Sequence, residues 1–570
     1  WAPGRRLYFA LRFSQAPTAH QLYDREPVEA PYKGFAPPGN GPGDTPFIHG
    51  RGLVAVFDFG VLKGPLMAKV ALSPTSEDAA VANLQAEVPG FDFDAVRAQA
   101  REAWERELAR VKLEAPAPMR RSLYTAVYHA LLSPSLSMDV DGGYVGPDNA
   151  AHKADGFQFV SSFSLWDTYR AEQPLMTLIQ PDSRSTDVMR SLLASQQESP
   201  YGILPIWQEA GLETWCMIGY HAVPELADAI MKGLPGFDPN RALDAMVASA
   251  DYRPYGHLGA YIDKGYVPVD VDGQGVSQTL EYAFDDWTIA RAAEKLGRRD
   301  VAQRFYRRAG NWRNVFDPAT GFAQPKLSDG AWREPFDPAR AGADSGFTEG
   351  NAWQYSEYAP QDIGGLIRLM GGDAKLVARL DETFDQKVDP KNYANVEDMA
   401  GLIGQYVHGN EPSHHMAYLY AYAGAPWRTQ ARLKQIVDSQ YRPAPDGLVG
   451  NDDLGQMSAW LLMTALGFYP VAPGANQYVI GRPFVNHATL ALPNGRTFTV
   501  ETDGLSDAHP YVGRVTLDGK PLDRVYLTHD EILRGGVLRF TMQAKPDTAW
   551  GAAPSARPYS MTPYPGAAAP

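Results

Sequence analysis

The chain has 570 residues, 44% apolar, 11% aromatic and 21% charged, the make-up of a globular protein of roughly two to four domains and not of a disordered one. Its 52 basic residues face 66 acidic ones, a net charge of -14 with no block of like charge, which argues against nucleic acid and anionic membranes as partners and favours a neutral ligand or a divalent cation. Cys216 is the single cysteine, so neither an intrachain disulfide nor a cysteine-built zinc site can form, and no apolar run of about 18 residues is present to insert in a membrane.

Residues 1–75 read as β-rich: "RLYFALRF" and "GLVAVFDFG" are aromatic, β-branched and partly alternating, between Pro- and Gly-rich turns, as in an antiparallel sheet. Residues 76–118 read as a helical linker, with Phe93, Val96, Ala100, Trp104, Leu108 and Val111 at helical spacing before a break at "EAPAP". Over 119–475, amphipathic stretches such as "RRSLYTAVYHALL", "HAVPELADAIMKGL" and "DVAQRFYRRAG" alternate with Gly/Pro/Asp-rich loops, roughly a dozen of them without a fixed period, as helix pairs of an α/α barrel would. Strands return over 476–550, where "ATLAL", "PNG" and "TFTVE" spell a hairpin, and the Pro/Ala-rich tail at 551–570 is expected to be irregular and poorly ordered.

Five stretches are candidates for chemistry. In "HGNEPSHH" (408–415), Pro412 suits the first helical position, with Glu411 as N-cap and Gly424 ending the helix. Adjacent His414 and His415 point about 100° apart and do not share an ion, so zinc is disfavoured, whereas oxygens from Asn410 and Glu411 suit a hard cation such as Ca²⁺. In "GLVGNDDLGQMSAW" (447–460), neighbouring side chains diverge, so one of Asp452 and Asp453 can cap the helix while the other meets solvent or metal. "GFTEGNAWQY" (346–355) offers Glu349 beside an aromatic ring, Trp353, that can stack on a sugar; an acid and a carboxylate are the minimum kit for glycoside hydrolysis. In "SLWDTYR" (164–170), Trp166 can stack on an apolar sugar face while Asp167 accepts from hydroxyls, and "TLEYAFDDW" (279–287) sets Glu281 and Asp285 on one helix face. Taken singly, each has an ordinary explanation as cap, core residue or charged face.

Together, "SSFSLWDTYR", "CMIGYHAVPELADA", "SQTLEYAFDDW", "TEGNAWQY", "GLIGQYVHGNEPSHHMAYLYAYAGAPWRTQ" and "GNDDLGQMSAWLLMTALGFYP" resemble, in order and across residues 75–545, the calcium-dependent exo-acting α-mannosidases of glycoside hydrolase family 92. The resemblance implies a β-sandwich N-terminal domain, a helical linker and an (α/α)₆ barrel catalytic domain, followed here by C-terminal strands. It implies an inverting hydrolysis of terminal α-linked mannose from glycans, with Glu349 as general acid and Asp453 as general base. It puts Asn410, Glu411 and Asp453 in the Ca²⁺ environment, directly or through water, and Trp166, Asp167, Trp353, His408 and His414 around the mannose. The acid must stay protonated near neutral pH, so Glu349 is expected to be the more buried of the pair. Members usually start with a longer β domain; this chain opens on Trp1, inside what resembles that domain's last portion. Glu357, eight residues after Glu349, is a rival acid if the segment is helical, and Asn451 stands where relatives carry an acid, which leaves Asp452, Glu357 and Asn451 as secondary candidates. The alternatives are another (α/α)₆-barrel glycosidase, a member cleaving mannosyl phosphodiesters, or a non-catalytic carbohydrate-binding protein. Glycan substrates and calcium imply an exported, periplasmic or cell-surface location; oligomeric state has no signature here.

Overall fold

The computed structural model describes residues 2, 4–24, 52–396 and 398–566; the parts of the expected β region at 1, 3 and 25–51, and of the expected tail at 567–570, lie outside the described residues. The chain divides into two compact units, one formed by Arg6–Ala103 with Asp139–Gly143 and the other by the remainder.

In the first unit β1 (Tyr8–Phe13) pairs antiparallel with β4 (Ala68–Ser73), and β2 (Ala19–Asp24) with β3 (Leu53–Asp58). Period-2 alternation turns Ala10 and Ala71 onto Ala80 and Leu84 of α1 (Glu77–Glu87), a helix opened by the Ser76 side chain accepting from the Ala79 N–H. The buried Asp139 carboxylate accepts from Ser73 Oγ at 3.0 Å and Asn83 Nδ2 at 2.7 Å. Phe93–Leu108 forms the expected helix, α2, but none of its residues is fully buried: Phe93 and Val96 are exposed, while Trp104 meets Tyr128 at 4.6 Å and Leu108 packs on the edge of the main core.

The linker reading is corrected at its end: Val111–Glu114 is a strand, β5, whose Val111 and Leu113 point inward in alternation. The break at "EAPAP" separates it from α3 (Ala117–Ala130). Twelve helices of the second unit then form an (α/α)₆ barrel. The inner six are α4 (Glu172–Ile179), α6 (Ala222–Lys232), α8 (Gly275–Lys295), α10 (Ile363–Met370), α12 (Leu419–Tyr422) and α14 (Gln456–Leu466). The outer six are α3, α5 (Asp182–Glu198), α7 (Pro239–Ala250), α9 (Arg299–Arg308), α11 (Asp373–Asp385) and α13 (Pro426–Gln440). Each inner helix packs on an outer one, and α14 closes the ring by packing on both α4 and α3. The inner helices α4 and α14 are enclosed on all sides, every residue being buried, while outer helices such as α9 and α11 bury only one face.

A sheet with β5 at one edge follows the barrel. It adds β6 (His487–Ala491), β7 (Thr497–Asp503), β8 (Tyr511–Leu517) and β9 (Gly536–Gln543), in the order β8-β9-β7-β6-β5 with a two-residue strand, Lys520–Pro521, beyond β8. The β6–β7 hairpin is the one spelled by "ATLAL", "PNG" and "TFTVE", and β5 pairs with β6 so that Glu114 faces His487 and Val111 faces Leu490.

The tail needs correction. Residues 551–566 carry only one short turn, yet they are fastened: Arg557 donates to Asp373 at 2.9 and 2.7 Å and to the Tyr422 carbonyl at 3.2 Å, and buried Asp362 accepts from Thr562 N at 2.8 Å. Arg557→Ala leaves carbonyls and a carboxylate without their donor and is expected to cost about 2 kcal/mol. A lower denaturant midpoint at unchanged slope is the readout.

Candidate active site

The site is built from four loops at the ends of barrel helices. The turn before α4 delivers Asp167, whose Oδ2 accepts from the Ser164 hydroxyl, itself accepting from Trp207 Nε1 at 2.7 Å. The second loop carries "HGNEPSHH". It is not the single helix expected: Glu411–Ser413 and Met416–Tyr418 are 3₁₀ turns ahead of α12, and the cap is Asn410, whose Oδ1 accepts from the Glu411 N–H at 2.9 Å, and not Glu411. The third loop, before α14, runs through Asp453 (φ +50), Leu454 (φ +51) and Gly455 (φ +90). A Cβ on Gly455 would lie 2.7 Å from Ala130 Cα at the end of α3, so only glycine fits both the backbone angle and the space. Asp452 and Asp453 diverge as adjacent side chains should: Asp452 Oδ1 caps α14 by accepting from Ser458 N at 2.9 Å, with His129 at 3.4 Å, while Asp453 turns the other way.

Asp167, Glu411 and Asp453 converge, each offering an oxygen within 4.8 Å of the others. Burial raises the Asp167 carboxyl, helped by the Asp453 charge, and raises Glu411, helped by Asp167 and Asp453. Burial, then Asp398 and Asp452, push Asp453 up to about 7. Both Glu411 oxygens are buried without a hydrogen-bond donor. Three crowded carboxyls with orphaned oxygens, and no sulfur or imidazole among them, fit a hard divalent cation with oxygen ligands.

Glu349, on the fourth loop, sits at φ +48, a left-handed conformation for a non-glycine residue. Asn410 ties it to the cluster: its Nδ2 donates to the Glu349 carbonyl at 3.1 Å and to Oε2 at 3.2 Å. Asp167 feels the Glu349 charge as well as that of Asp453. Glu349 and Asp453 are both half-buried, so the expected difference in enclosure is not seen. Glu349 also lines a cavity of about 1010 Å³.

Beneath the cluster lies a network the sequence marked only in part. Trp166 Nε1 donates to Glu281 Oε1 at 3.0 Å, and the His221 ring is held between Glu281 Oε2 at 2.5 Å and Asp285 Oδ1 at 2.8 Å. Burial lowers the His221 pKa, but Asp285 and Glu281 outweigh it and push it up to about 9. Arg170 donates to the Trp166 carbonyl at 2.9 Å and the Glu411 carbonyl at 3.4 Å, between the rings of Trp166, Tyr169 and Tyr358. Arg170 and His221 stand inside quoted motifs; a loop arginine or a lone histidine gave no local signal.

Several expected residues are engaged elsewhere. Trp166 is 2% exposed and Trp353 packs edge-on against Phe322 at 4.7 Å, so neither presents an open stacking face. The two ring nitrogens of His408 bond the Tyr406 and Tyr441 hydroxyls at 2.8 and 2.7 Å; those of His414 bond the His408 carbonyl at 3.0 Å and Gln456 Nε2 at 3.2 Å. Burial lowers both, His414 to about 3, and both rings are engaged within the core. Asn451 is exposed and donates to Asp398 at 3.0 Å. The helix after Glu349 is a single turn, Ala352–Tyr355, and Glu357 beyond it is fully buried among barrel residues with neither oxygen hydrogen-bonded.

Acids gathered in a helical barrel beside a large cavity are an arrangement suited to acid–base hydrolysis of a small-molecule or glycan substrate. The profile of the glycosyl hydrolase family 92 catalytic domain matches residues 79–544, and the chain belongs to glycoside hydrolase family 92. A family 92 α-mannosidase from Bacteroides thetaiotaomicron, solved with mannoimidazole, superposes at a TM-score of 0.92 with 39% identity, over 99% of this chain and 74% of that one. An inverting family 92 mannosidase from the same organism gives a TM-score of 0.84 with 34% identity, over 98% and 76%. A protein of Arthroderma benhamiae described as an uncharacterized secreted glycosidase is 28% identical over 539 residues; the match takes in 87% of this chain and 62% of that relative's length.

Glu357 makes the fold sensitive to pH. Burial, only partly offset by Arg379, pushes its carboxyl up from 4.5 to about 7. A carboxyl raised on folding binds its proton more tightly in the folded chain, so stability is lost as pH rises from about 4.5 to about 7. Glu357→Gln is expected to flatten that part of the stability–pH curve, with a gain over wild type on the order of 3 kcal/mol above pH 7, measured by denaturation at pH 5 and pH 8.

Proposed function

We propose that this chain is an exo-acting, inverting α-mannosidase that removes terminal α-linked mannose from glycans. One observation carries the reading: loops far apart in sequence bring Glu349 and Asp453, each on left-handed backbone, close enough to Asp167 that it feels both charges. Two relatives at 39% and 34% identity, one an α-mannosidase and the other an inverting mannosidase, support the substrate class and the stereochemistry.

In this reading Glu349 is the general acid. The Asn410 amide donates to Oε2, so the proton that Glu349 carries resides on Oε1 and passes from there to the glycosidic oxygen. Asp453 is the general base, taking a proton from the water that attacks the opposite face of the sugar; inversion requires the two carboxyls to stand about 6.5–9.5 Å apart to admit that water. With burial, Asp398 and Asp452 pushing Asp453 up to about 7, a base here works above neutral pH or with its charge compensated. Asp167, Glu411 and Asp453 are the oxygens that would hold Ca²⁺, in place of the Asn410 amide, which is engaged with Glu349 and the Glu411 N–H. Bound there, Ca²⁺ would bind the cis O2/O3 diol of mannose, favouring manno over gluco sugars and a distorted ring. The exported location keeps company with the secreted relative; among the described residues no helix is long and apolar enough to cross a membrane.

Time-resolved proton NMR on α-mannobioses should show β-mannose appearing first, and initial α-mannose would overturn inversion. Glu349→Gln and Asp453→Asn are expected to lower kcat by about 10²–10⁴, and α-mannosyl fluoride, which needs no acid, should restore turnover to Glu349→Gln but not to Asp453→Asn. Calcium at about 100 times its Kd should add about 2.7 kcal/mol of stability that chelator removes. Asp167→Asn and Glu411→Gln should abolish that gain in calorimetry.

A further inference from the structure

The cavity beside Glu349 has a wall that the hydrolytic chemistry does not use. Its volume of about 1010 Å³ is at the top of the range of about 300–1,000 Å³ for small-molecule sites, more room than one terminal sugar requires. Glu349 and Thr348 line it, and so do the aromatic rings of Tyr201, Trp215 and Tyr255.

Trp215 is held there by design of the loop. It lies at φ +59, where a bulky residue is a genuine outlier, and yet its side chain is not folded into the core, being 37% exposed. Glu213 fixes the backbone: its carboxylate accepts from the N–H groups of Trp215 at 2.9 Å, Trp207 at 3.0 Å and Ile206 at 2.7 Å. Tyr201 meets the indole edge-on at 5.1 Å and Tyr255 lies against it at 5.4 Å, with the Tyr255 hydroxyl donating to the Met217 and Gly219 carbonyls. Backbone strain spent on an exposed, braced ring points to a ligand face.

Glu349 stands between this cavity and the carboxyl cluster, because Asn410 links it to Glu411 and the cavity includes it. A group that protonates the leaving oxygen has the departing part of the substrate on its far side from the sugar being released. We propose that Trp215, braced by Tyr201 and Tyr255, is the platform on which a pyranose of the leaving group stacks, so that the enzyme selects glycans with an extended leaving group. This rests on the reading of Glu349 as the acid.

The test compares kcat/KM for linear α-mannotrioses of each linkage with kcat/KM for α-mannosyl fluoride, whose leaving group is one atom. In Trp215→Ala the triose-to-fluoride ratio should fall tenfold or more, mainly through KM, and Trp215→Phe should restore most of it. An unchanged ratio, whether both substrates hold or both fall together, overturns the platform while leaving the hydrolase reading in place. Wild-type protein that turns over neither substrate would overturn both.

Discussion

Burial of charge is the constraint on which this barrel turns. An (α/α)₆ barrel encloses most of the length of its inner helices, yet α8 brings Glu281, Asp285 and Asp286 into that interior with no exposure at all. A carboxylate withdrawn from water is tolerated only when paired and hydrogen-bonded. Glu281 and Asp285 share His221, and Asp286 takes Arg308 at 3.0 Å with the hydroxyls of Tyr220 and Tyr261 at 2.9 and 2.8 Å. The pairing also positions Trp166 and, through it, the turn that carries Asp167. Against that background the acids of the site stand apart: among the described residues none of Asp167, Glu411 and Asp453 has an ion pair with a lysine, arginine or histidine. Glu357 too is buried without a hydrogen bond, but among the described residues only here do three carboxyls converge within reach of one ion.

Much of this was legible in the sequence, and what was not has a common cause. Helical periodicity and turn chemistry are local, and they marked barrel helices such as α3, α6 and α9 and the β6–β7 hairpin. The divergence of Asp452 from Asp453 was readable for the same reason, since it follows from two neighbouring Cα–Cβ directions. The convergence of residues 167, 411 and 453 has no local trace, so Asp167 was read as a sugar ligand from its neighbour Trp166. His408 and His414 lie in a histidine-rich segment that reads as functional, while the Tyr441, Gln456 and Trp460 partners that help hold those rings in the core come from other segments. The stripe of α2 shows the converse: a clean period whose first half, Phe93 and Val96, is exposed.

The conformations at the site carry a related lesson. Glu349, Asp453, Leu454 and Trp215 all occupy left-handed backbone, and such strain persists only where the surroundings over-determine it. Glu213 supplies that determination for Trp215, the α3–α14 contact at Gly455 for Asp453, and Asn410 for Glu349. Rigid helices fix the ends of the loops, so the loops can hold functional groups in conformations that a free chain would leave.

The strand β5 has a consequence for how the molecule is made. Val111–Glu114 is synthesised before any barrel helix, yet its partner His487–Ala491 comes after the last of them, and α3 likewise waits for α14. The pairing is of the kind that makes folding slow, because a very long loop must close before the contact is rewarded. The two ends of the barrel are thus stitched by the same late event, and the nascent chain on the ribosome holds an open arc of helices, with its inner apolar and acidic faces uncovered, until residues 456–491 have emerged.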